Sequence, residues 1–75
     1  MKIHFVGIDD WSRAIFKCKR GLYYCCLDFL FHPKTSEEEV LNQIDSKDIV
    51  YYGRSLDDDP DGSSCAVEIV RNSEW

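Results

Sequence analysis

Leu22-Tyr23-Tyr24-Cys25-Cys26-Leu27-Asp28-Phe29-Leu30-Phe31 is a run of aromatic and β-prone side chains without clean alternation of apolar and polar residues. A strand with one wet face alternates, whereas a strand covered on both faces does not need to. The run therefore reads as a central strand, and the segments around it supply its neighbours. Cys25 and Cys26 are adjacent, so on a strand they point to opposite faces, and at most one is expected in the core.

Upstream, Arg20-Gly21 is a turn signal, and residues 13–19 alternate. Ala14, Phe16 and Cys18 share one side; Arg13, Lys17 and Lys19 lie mostly on the other, and Ile15 interrupts the polar side as cover for a sheet edge. Asp9-Asp10-Trp11-Ser12 is a second turn, because Asp and Ser side chains bond to nearby backbone. Before it, Lys2 to Ile8 alternates as the first strand. Three strands joined by short turns make an antiparallel meander.

Downstream, Pro33 stops the third strand. Thr35-Ser36-Glu37-Glu38-Glu39 then opens a helix. Thr35 with Glu38, or Ser36 with Glu39, has capping-box spacing, and the glutamates face the positive end of the helix dipole. Val40, Leu41 and Ile44 form its buried stripe, and the helix spans 36–45. Residues 48–55 are a fourth strand, 56–64 an acidic loop and 65–71 a fifth strand, the last two strands pairing as a C-terminal hairpin. Residues 72–75 read as a frayed tail. The order is βββαββ. This predicts a single small α+β domain over 1–75, a curled, mostly antiparallel sheet with one helix packed on one face.

The totals agree with a small core and little more. The chain has 75 residues, 44% hydrophobic and 13% aromatic. A domain this short buries about 60% of the surface exposed by its unfolded chain, which leaves little for a deep cleft. Nine basic and fourteen acidic residues give a net charge of −5. Such a surface repels nucleic acid and anionic membranes and attracts a basic protein surface. No stretch approaches the roughly 18 apolar residues that span a bilayer. Met1-Lys2-Ile3-His4-Phe5 runs straight into strand without a signal-peptide pattern, so a cytoplasmic location is expected. There, Cys18, Cys25, Cys26 and Cys65 are expected to be free thiols.

Four features bear on function. Asp57-Asp58-Asp59-Pro60-Asp61-Gly62, continuing to Glu68, has aspartates at relative positions 1, 3 and 5, glycine at 6 and glutamate at 12, the spacing of an EF-hand calcium loop. Asp57, Asp59, Asp61 and Glu68 are thus candidate calcium ligands. The likeness covers one loop, with proline at its fourth position and Ser64 at its eighth, and β-prone segments flank it where helices belong. A solvated acidic loop that discourages edge pairing is the favoured reading.

At the first turn, Trp11 and Arg13 are residue types enriched at binding hot spots. Packing of Trp11 over the open end of the sheet, with Asp10 bonded to nearby amides, is the favoured role. Tyr23-Tyr24 and Tyr51-Tyr52 place one ring on each sheet face. Exposed rings on a sheet stack bases in RNA-recognition domains, but the glycine–aromatic motif and basic residues of those domains are missing. The cysteines show no zinc-ligand spacing, and neither a phosphate-binding glycine loop nor a nucleophile elbow occurs.

No enzyme activity is expected. The sequence points to a non-catalytic protein-binding or regulatory module without a cofactor, with Trp11, Arg13, Tyr23, Tyr51 and Tyr52 as contact residues. Its partner is a protein, with a basic surface as one form and a second copy of the chain as another. The alternative is a calcium-binding module built on the acidic loop.

Overall fold

Alternation in the first half of the chain becomes three antiparallel strands. In the computed structural model, which describes residues 1–55, 60 and 62–75, these are β1 (Lys2–Ile8), β2 (Ala14–Cys18) and β3 (Tyr23–Cys26). Phe5 pairs with Phe16, and Phe16 with Tyr24, so the large rings of three strands share one face. Between Phe5 and Gly7 the register slips by one residue, a bulge that leaves Val6 outside the pairing and exposed.

The third strand is shorter than its apolar run. After Cys26 the chain bends, and residues 27–30 lie outside the sheet. Phe31 then returns to the core, 5% exposed.

Helix α1 (Glu37–Gln43) begins where the cap residues place it: Ser36 is the N-cap, and its Oγ accepts a 3.3 Å hydrogen bond from the Glu39 amide. It ends two residues earlier than expected, because Ile44 is extended rather than helical. Val40 and Ile44 are buried and Leu41 packs beside them, as the helical spacing predicts. A 3₁₀ turn, Ser46–Asp48, leads into β4 (Ile49–Gly53), and the Asp45 amide donates to Asp48 Oδ2 at 2.9 Å.

The strand order is β4-β3-β2-β1-β5. The meander and the mostly antiparallel α+β sheet with one helix are as expected. The C-terminal hairpin is not. β4 pairs antiparallel with β3, whereas β5 (Glu68–Val70) pairs parallel with β1 at the opposite edge. There the Glu68 amide donates to the Met1 carbonyl at 2.8 Å, and Ile69 lies beside the fully buried Ile3. Pairing at that edge packs Ile69 against the core. Beyond β4, the Tyr51 amide donates to the Ser63 carbonyl, and Val50 bridges to Ser64, so returning chain covers that edge.

The principal core lies between the sheet and α1 and includes Ile3, Phe16, Tyr24, Phe31, Val40 and Ile49. A second, smaller cluster occupies the other face: Ile15, Cys25 and Tyr52, with Tyr23 and Val50 packed against it. Ile15 therefore sits in the middle of the sheet, not at an edge. Both adjacent cysteines are buried, Cys26 in the larger cluster and Cys25 in the smaller, because each face has its own apolar cover.

The tail is also ordered. Asn72–Glu74 form a 3₁₀ turn, and Asn72 is held three ways. Its amide donates to Glu37 Oε2 at 2.9 Å, its Nδ2 to the Phe5 carbonyl at 3.0 Å, and its Oδ1 lies 2.7 Å from His4 Nδ1. Trp75 stacks on His4 with ring centroids 4.2 Å apart. These contacts join residues 35 to 71 positions apart, which local polarity, pointing to a frayed end, does not register.

Candidate functional site

The turn between β1 and β2 is built around one carboxylate. Asp9 Oδ1 accepts from the amides of Trp11 at 2.9 Å and Arg13 at 2.8 Å, and Asp9 Oδ2 takes Arg13 Nε at 2.8 Å. Backbone bonds from the Asp9 amide to the Arg13 carbonyl and from the Ser12 amide to the Asp9 carbonyl close the turn. Ser12 adopts φ 63°, a left-handed conformation that these bonds hold in place. Asp9 does the work expected of Asp10, since its position at the strand end aims its oxygens back over the following amides.

Arg13 faces inward. Its Nη2 donates to the Tyr52 hydroxyl at 3.2 Å, and the guanidinium lies over the Tyr52 ring at 5.2 Å. Burial alone lowers the Arg13 pKa, but the hydrogen bond and charge of Asp9 outweigh it and raise the value. Tyr52 is 4% exposed. Arg13 and Tyr52 thus brace the turn from below, Arg13 part-buried and Tyr52 buried. Tyr51 is half-buried edge-on to Tyr24 at 5.7 Å, and Tyr23 is half-buried with the Lys17 ammonium 5.3 Å from its ring.

Bracing from below turns Trp11 outward. It is 75% exposed, which overturns its expected packing role. Beside it stands the segment that left the sheet: the Phe31 amide donates to the Ser12 carbonyl at 2.8 Å and ties the two loops together. On that second loop Leu30 is 73% exposed, Leu27 44% and Phe29 37%. One end of the sheet therefore presents four large apolar side chains, with exposed Asp10 and Asp28 among them. Leu27, Phe29 and Leu30 belong to an apolar run whose composition predicts a strand, so the sequence does not mark them as contact residues. The available signal was Asp28, a polar break within that run.

The calcium-loop aspartates Asp57, Asp59 and Asp61 lie outside the described residues. Gly62 has φ 76°, the left-handed backbone that a tight turn asks of glycine. Glu68 is exposed on β5, opposite Lys2 in the parallel ladder. Among the described residues no group of three or more His, Cys, Asp or Glu side chains is placed to hold a metal.

All four cysteines are free, and Cys18, Cys25 and Cys26 are buried. Burial pushes the Cys25 thiol up to about 11 against a small opposing effect of Arg13, and burial likewise raises Cys26. Both shifts favour the neutral thiol over the thiolate. Among the described residues no helix is long and apolar enough to cross a membrane.

Comparison with protein-family models, curated proteins and solved structures gave no match to the chain.

Proposed function

We propose that this protein is a non-catalytic binding module that engages a protein partner through the Trp11 end of its sheet. The observation that carries the proposal is the exposure of Trp11 and Leu30, 75% and 73%, on two loops joined by a 2.8 Å hydrogen bond. Contiguous exposed apolar residues on a small protein mark interaction surfaces, and tryptophan is a frequent energetic anchor in them.

The chemistry of the partner follows from the same end. Trp11, Leu27, Phe29 and Leu30 ask for an apolar recess, and Asp10 and Asp28 ask for a basic rim. Rim charges steer encounter and make association salt-sensitive, while the apolar anchors supply affinity. The Asp9–Arg13–Tyr52 bracing holds the Trp11 turn in one conformation before binding, which reduces the ordering cost of association.

Affinity capture from native lysate with wild-type protein, Trp11→Ala and Leu30→Ser tests this reading. A specific partner retained by wild type and lost by both variants, with melting temperature unchanged, is the expected outcome. Identical capture by all three proteins, or none under gentle conditions, refutes it. Sedimentation of the purified chain separates self-association from a different partner.

A further inference from the structure

We infer that the opposite end of the sheet is an anion site for a compact phosphate monoester, with Arg20 and Arg54 as its principal ligands. The feature is visible first as a charge distribution. Residues 11–27 contain Arg13, Lys17, Lys19 and Arg20 and no acidic residue, in a chain with fourteen acids. Arg13 is neutralised by Asp9 at the Trp11 end. The others point to the β2–β3 turn, and the fold brings two more cations to it: Lys2 at the start of β1, and Arg54 just past the end of β4.

Lys2, Lys19, Arg20 and Arg54 are all exposed, and the Asp9–Arg13 bridge is the sole ion pair among the described residues. Two shallow cavities meet at Arg20. One, of about 470 Å³, is lined by Arg20, Gly21, Leu22 and Arg54; the other, of about 210 Å³, adds Lys2 and Lys19. Glu68 faces Lys2 across the β1–β5 ladder and the Lys19 ammonium lies 5.2 Å over the Trp75 ring, so these two lysines have partners. Arg20 and Arg54 have no carboxylate at ion-pair distance among the described residues and line one concavity, an arrangement that suits an external anion as counter-charge. Guanidinium forks match phosphate oxygens in a two-pronged geometry, so Arg20 and Arg54 are better suited to that anion than the lysines.

The size of the ligand follows from the remainder of the molecule. A long phosphate backbone would run beyond this patch onto a surface whose overall charge is −5, where it is repelled. A single phosphate group fits within the patch, where the nearest charges are the cations and dominate its interaction. Its source is a free phosphate ester or a phosphorylated side chain of another protein, and the chemistry of capture is the same for both.

The test is a ¹H–¹⁵N titration at low ionic strength, reading the Gly21 amide and the Nε–H signals of Arg20 and Arg54. Its arms are inorganic phosphate, a nucleoside monophosphate, a phosphoserine peptide and a short single-stranded oligonucleotide. Saturable shifts at these three residues with at least one phosphate monoester are expected. In Arg20→Gln/Arg54→Gln the affinity should fall about tenfold or more. Lys34→Gln/Lys47→Gln, which removes the same charge from exposed positions elsewhere, should leave it intact. Preference for the nucleotide or for the peptide identifies the source. Saturation by the oligonucleotide alone, equal losses in both double variants, or no saturable shift with any arm overturns the inference.

Discussion

The two ends of the sheet are built on opposite plans. At one, the turn from β1 to β2 is held by side-chain chemistry: a single carboxylate, Asp9, satisfies two amides and an arginine, and Tyr52 braces that arginine from the far face. At the other, backbone bonds close the turn from β2 to β3, from the Gly21 amide to the Cys18 carbonyl and from the Cys18 amide to the Leu22 carbonyl, with Gly21 at φ 84°. The costly, side-chain-built turn displays apolar groups to water; the economical one displays cations.

Breaking the two turns should reveal this asymmetry in stability. Asp9→Ala removes the ion pair and two amide bonds and leaves a half-buried guanidinium over Tyr52, at a cost of about 3 kcal/mol in chemical denaturation. Asp10→Ala, one residue on and exposed, should fall within about 0.5 kcal/mol of wild type. Equal effects of the two would show that Asp9 does not organise the turn.

Cys25 probes the apolar layer beneath the Asp9 end. Its folded pKa of about 11 stands above the usual thiol value because burial disfavours the thiolate. The unfolded chain therefore releases this proton first as pH rises. The stabilisation is complete below the unfolded pKa, near 9, and is lost as pH climbs through the folded value. The loss should reach about 2 kcal/mol by pH 11. Melting temperature against pH for wild type and Cys25→Ala checks it, with a flatter alkaline limb expected for the variant.

At the cationic end, Gly21→Ala forces an alanine into left-handed backbone and should cost about 1 kcal/mol. No backbone atom crowds that position; the nearest contact for an added methyl is the Lys17 stem at 4.0 Å. A loss much larger than this would mean that the turn stores more than conformational strain. The smallest effect belongs to Trp11→Ala, where stability should stay within about 0.5 kcal/mol of wild type. A marked loss would return Trp11 to the packing role and remove it from the contact surface.

Much of this was legible in the chain and some was not. Alternation in Lys2–Ile8 and 13–19, punctuated by Asp9-Asp10-Trp11-Ser12 and Arg20-Gly21, announced the meander, because side chains on a strand take alternate sides wherever that strand ends up. Ser36 announced the helix start for an equally local reason, an unsatisfied amide three residues on. The contact end was half visible. Trp11 was singled out, but Leu27, Phe29 and Leu30 were hidden in an apolar run, since composition reports a preference for burial and not whether burial occurs.

What the sequence determined by itself was the meander, its two turns and the capped start of the helix, all properties of neighbours along the chain. What only the tertiary structure decided was which distant surfaces meet. The parallel pairing of Ile69 beside Ile3, the capture of Asn72 and Trp75 by His4 and Phe5, and the joining of the Ser12 and Phe31 loops each link residues whose local patterns say nothing of one another. A strand's periodicity specifies its faces but leaves its partner, its direction and its edge open, and these are settled by the apolar area that each possible pairing removes from water.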